Sequence, residues 1–108
     1  MKEIQIELTE YVRPNGRTRT VTMNVDPECE SAYNQIKQSG ARLGFEVLGR
    51  AGTVYVFLEH PKLGDYVSEI LPSKEDLKSA IEGLLRHFDA ADYERWKRES
   101  RSWFEDHM

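Results

Sequence analysis

Two groups of side chains in this sequence have the types and spacing that could do chemistry. Arg13, Arg17 and Arg19 surround Pro14-Asn15-Gly16, with only Glu10 nearby to offset them. Three forked cations at one tip can grip phosphates or a partner's carboxylates through paired N–H donors. A solvated loop has the same composition, because strands also carry arginine at exposed ends for solubility and edge protection. Tyr93, Trp96, Trp103 and Phe104 form the second group and include both tryptophans of the chain. On a helix, 93, 96, 100, 103 and 104 share one stripe, interrupted by Ser100, and tryptophan is enriched among interface anchors. Trp96 and Trp103 are seven residues apart and fall about 20° from the same side, so they should act together. The same stripe packed on a sheet would be ordinary core, and both fates stay open.

Other reactive types lack a partner at a useful spacing. His60 precedes Pro61 in a turn, His87 follows Arg86 on the wet flank of a helix, and His107 is near the end of the sequence. None belongs to an acid–base motif. Cys29 is the one cysteine, so no internal disulfide can form, and the spacing of a Cys/His metal site is absent. Gly40, Gly44, Gly49 and Gly52 are spaced for turns and do not form a phosphate-cradling loop. The acid pairs Glu75-Asp76 and Glu105-Asp106 suit helix ends or solvent better than a metal. The expectation is no enzyme, no cofactor and no bound metal.

The elements that must position these residues follow from periodicity. Ile4, Ile6, Leu8 and Val12 alternate with Glu3, Gln5, Glu7 and Thr9, then an Asn15-Gly16 turn leads to alternation at Val21, Met23 and Val25. This predicts a β-hairpin. Asp26-Pro27 is an N-cap followed by proline at the first helical position, and Gly40 suits a C′ site, giving a helix over 27–39. Leu43, Phe45 and Val47, a turn from Gly49 to Gly52, and the run Thr53–Glu59 predict a second hairpin. Tyr66, Val67, Ile70 and Leu71 form a fifth strand whose weak alternation marks it as an edge. Ser73-Lys74-Glu75-Asp76 approximates a capping box, and Leu77, Ala80, Ile81, Leu84, Leu85 and Phe88 then recur at helical spacing. Asp89 can cap a further helix over 89–108, and whether 88–89 is a break or a bend stays open.

The order is ββαβββαα, an α+β domain over 1–108 with a mostly antiparallel sheet of about five strands and its helices on one face. Ile6, Leu8, Met23, Ile36, Phe45, Val47, Val56, Ile81, Leu84 and Leu85 are the expected core. At 108 residues there is room for one core, and 39% apolar and 31% charged residues suit a globular chain. The formal charge of -4 gives no overall attraction to a phosphate backbone. No apolar run approaches the roughly 20 residues needed to cross a bilayer, and the opening lacks a signal-peptide stretch, so a cytoplasmic protein without membrane contact is expected.

The segment 27–88 resembles a double-stranded-RNA-binding domain in its αβββα order. It departs from that family where the last helix should open on lysines, since Ser73-Lys74 is followed here by Glu75-Asp76, which would repel phosphate. Thr9-Glu10-Tyr11-Val12-Arg13-Pro14-Asn15-Gly16-Arg17 resembles the opening of small uncharacterised proteins encoded by bacteriophages and prophages, and Phe45-Glu46-Val47-Leu48 is also similar. That resemblance implies a phage accessory product in the host cytoplasm that binds a host or phage protein, inhibitors of bacterial defence systems among them. The expectation is a non-enzymatic protein-binding module using Arg13, Arg17, Arg19, Tyr93, Trp96, Trp103 and Phe104. The alternative is nucleic-acid binding through the arginine hairpin, and a homodimer through the last helix is a third option.

Overall fold

A computed structural model describes residues 2–12, 16–50 and 52–107. Its elements are β1 (Ile4–Val12), β2 (Arg17–Val25), α1 (Glu30–Gln38), β3 (Arg42–Leu48), β4 (Thr53–His60), β5 (Gly64–Leu71), α2 (Leu77–Arg86) and α3 (Ala90–His107). The sheet order is β2-β1-β3-β4-β5. All neighbours are antiparallel except β1 and β3, because the connection through α1 crosses over β1. The α+β architecture and the order ββαβββαα follow the hydrophobic periodicity, and β5 is an edge as its pattern predicts.

Local chemistry sets the boundaries. The Asp26 carboxylate accepts from the Glu28 N–H at 3.0 Å, but Pro27–Cys29 winds as a turn of 3-10 helix before α1 begins at Glu30. Gly40 follows the helix at φ +87°, a left-handed conformation that glycine adopts without a Cβ penalty. Between the last two helices the chain breaks instead of bending. α2 ends at Arg86, and the Asp89 carboxylate then caps α3 by accepting from the N–H groups of Ala91 and Asp92 at 2.9 and 3.1 Å.

The core lies between the sheet and the helices. Ile6, Leu8, Ile36, Phe45, Val56, Ile81 and Leu85 are buried there as expected, together with Val25, Leu43, Val54, Leu58, Leu71, Leu77 and Tyr93. Met23, Val47 and Leu84 are only partly buried and pack at the margin. The register between β4 and β5 shifts at Leu58/Glu59, with Leu58 opposite Val67 and Glu59 opposite Asp65. Tyr66 is therefore an extra residue in β5, and the bulge interrupts the alternation that the sequence lacks there.

Among the described residues, the opposite sheet face carries no helix yet has one buried side chain. Phe57 is buried because its ring lies on Gly44, where a Cβ would approach to 2.5 Å, while Tyr11 and Tyr55 flank it at ring separations of 5.3 and 5.2 Å. Polar groups on this face satisfy one another. Arg42 donates to Glu59 at 2.8 Å and to the Tyr11 hydroxyl at 2.6 Å, the Tyr11 hydroxyl also donates to Glu59, and Tyr55 donates to Asp65.

Candidate protein-binding groove

Of the arginine hairpin, Arg13 lies outside the described residues. Arg17 opens β2 and is exposed. Arg19 is directly opposite Glu10 and donates its Nε–H to that carboxylate. Glu10 is the buried charged residue of the described chain, its side chain 11% exposed against 66% for Arg19. Much of Arg19's charge is thus already directed at its own strand partner.

The C-terminal aromatics part company along α3. Tyr93 is buried, its ring 5.2 Å from Tyr66, 5.5 Å from Phe88 and 5.6 Å from Trp96, with its hydroxyl 3.0 Å from that of Ser39. Trp96 is half-buried against Tyr66 and Tyr93. Trp103 is 55% exposed. The side chain of Phe104 lies outside the described residues, as does that of His107. One face of the helix is core in its first two turns, and the described aromatic farther along it, Trp103, is more than half exposed.

A separate concavity lies between the sheet edge and the second helix. β5 and α2 diverge to leave an open groove of about 710 Å³, closed at one end by the Phe88–Asp92 turn into α3. That volume is in the range of ligand sites. Leu58, Val67 and Leu71 form its floor, and Ala80, Gly83 and Leu84 form the wall on α2. Small residues on α2 keep the wall back from the strand. Gly83 does so most, because a Cβ built there meets nothing within 4 Å.

The closed end is pinned by chemistry. The Tyr66 hydroxyl donates to the Asp92 carboxylate, which also accepts from Arg95. Burial and then that hydrogen bond push Tyr66 up to about 12, and the same bond holds Asp92 below the usual carboxylate range. Along the open rim stand Glu69, Asp76 and His87. The carboxylates of Glu69 and Asp76 make no hydrogen bond or ion pair with another described residue. No cluster of three His, Cys, Asp or Glu able to hold a metal occurs among the described residues.

The remaining reactive side chains lie away from the groove. Burial raises the Cys29 pKa and keeps it a protonated thiol. His60 accepts a hydrogen bond at Nδ1 from the Lys62 N–H at 3.2 Å, and burial, then Lys97, Arg101 and Lys62, lowers its pKa.

The groove does not stand out in the amino-acid sequence, since its lining comes from three separate segments. The available signal is the small stripe Ser79, Ala80 and Gly83 on a helix otherwise rich in large apolar residues. No protein-family model, curated protein or solved structure matches this chain.

Proposed function

We propose that this chain is a non-enzymatic protein-binding module that takes a segment of its partner into the groove between β5 and α2. Gly83 is the observation that carries the reading. Glycine inside a helix costs about 1 kcal/mol relative to alanine. Crowding gives no reason for it here, because the space of its missing side chain is empty. What glycine preserves is the width of the groove. An apolar floor with acids on its rim has the anatomy of a binding surface.

The phage-like opening suggests a setting for the module, a host cytoplasm in which it binds a host protein and in which inhibition of a defence system is one such role. The nucleic-acid alternative draws less support, since Glu10 already engages Arg19 and the formal charge is -4. Panning a random peptide library on the purified protein and on Gly83→Phe tests the groove. The introduced phenyl ring would fill the groove from a position where a side chain meets open space, so circular dichroism should be unchanged while groove-specific peptides are lost. Gly83→Ala is the folded control. Equal enrichment of the same peptides on the wild type and Gly83→Phe would overturn the assignment.

A further inference from the structure

β5 pairs with β4 on one side, and no strand among the described residues pairs with its other side. Such an edge is a template for another extended chain. It has apolar side chains on both faces. Val67 and Leu71 line the groove, whereas Ile70 lies on the opposite face beside its cross-strand partner Tyr55 and is 65% exposed, more than any other large hydrophobic of the described chain.

The two faces constrain what can bind. A helix seated in the groove would cover Val67 and leave Ile70 bare. A strand laid along β5 sends alternate side chains to the two faces and covers both. Charge narrows the choice of strand. Glu69 and Asp76 flank the groove without a partner among the described residues, and Asp65 lies on the other face.

We propose that β5 receives an extended basic segment of a partner protein as a sixth strand, roughly the eight residues of β5 in length. Alternate apolar side chains enter the groove or cover Ile70, and lysine or arginine meets Glu69 and Asp76. The inference rests on the groove as binding site and adds the mode and chemistry of the partner. A second copy of this chain is disfavoured on the same grounds. Pairing β5 with β5 of a second copy brings Asp65 and Glu69 of each copy to the seam, with no lysine or arginine in either strand to answer them.

The test uses the peptides that bind the wild type and are lost on Gly83→Phe. They should be enriched in lysine and arginine, with apolar residues at alternate positions. Binding should protect the backbone amides of 64–71 from hydrogen exchange, and the double variant Glu69→Lys, Asp76→Lys should weaken it about tenfold or more. Backbone N-methylation of one alternate set of peptide residues should abolish binding, and methylation of the other set should leave it intact. Groove-dependent peptides that are acidic or neutral, that tolerate both methylations, or that leave 64–71 unprotected would overturn strand addition while the groove reading stands. Protection of 64–71 without peptide, in a species that sediments as a dimer, would assign the edge to self-pairing and overturn the basic-partner inference. Peptides indifferent to Gly83→Phe would overturn the groove reading and this inference with it.

Discussion

Trp96 and Trp103 share one side of α3, but replacing each with alanine should give very different results. Fully burying an aromatic ring is worth about 3–5 kcal/mol against alanine. Trp96 is half-buried and loses part of that, yet it contacts Tyr66 at 5.3 Å and Tyr93 at 5.6 Å, and such ring pairs add about 0.5–1.5 kcal/mol. Trp96→Ala should therefore cost about 2–3 kcal/mol. With an unfolding entropy of roughly 2.1 cal/mol/K per residue over 108 residues, Tm should fall by about 10 °C. Trp103 is 55% exposed, and its replacement should cost under about 1 kcal/mol, in the range of surface substitutions. Thermal unfolding followed by circular dichroism and calorimetry reads both values. Equal shifts, or a larger one for Trp103→Ala, would refute the division of α3 into a packed and an open part.

Gly83→Ala should raise Tm by about 4 °C, since the new Cβ meets no atom within 4 Å and alanine favours the helix by about 1 kcal/mol; a fall in Tm on calorimetry would show the wall of α2 to be filled. Arg19→Gln should destabilise by about 1–2 kcal/mol in urea titration, more than an exposed charge usually contributes, because it strips a partner from nearly buried Glu10. The double variant Arg19→Gln, Glu10→Gln should recover part of the loss. His60 is disfavoured as a cation in the fold, so its stabilising share is complete above the ordinary histidine range near 6.5 and is lost as pH falls through its lowered pKa. Tm should drop between pH 7.5 and pH 5, and His60→Gln should narrow that drop.

The sequence carries most of the sheet because alternation and turn chemistry are local. The Asn15-Gly16 signal, the glycine after α1 and the spacing from Leu77 to Leu85 each specify an element within a few residues. Contacts distant along the chain are not legible in that way. The Tyr11, Arg42 and Glu59 network joins three strands, and Phe57 is buried on the open face only because Gly44 is its neighbour on β3. Sequence spacing sets Trp96 and Trp103 on one stripe, but it carries no information about where the sheet beneath them ends. The groove is harder still, for its width is a difference between a strand and a helix joined through 72–76. Arg19 is the instructive case among the proposed contact residues. Its position two residues from Arg17 suggests a free cation, and the register that pairs it with Glu10 depends on the hairpin closing as it does.

The two edges of the sheet meet the same hazard in different ways, and the difference supports β5 as the binding edge. β2 presents Thr18, Thr20, Thr22 and Asn24 on the face without helices and Arg17 and Arg19 on the other, leaving Val21 and Met23 half-buried against the core. A polar, cationic edge gives an incoming apolar strand little to cover. β5 instead leaves Ile70 exposed and borders an apolar groove, with acids as its main charges. Those acids oppose pairing with a second copy and favour a basic segment, so one set of charges protects the edge and selects its ligand. The bulge at Tyr66 and the Tyr66–Asp92 hydrogen bond fix one end of the groove to α3. A segment entering there meets a wall already in position, and little of its binding energy is spent on ordering the protein.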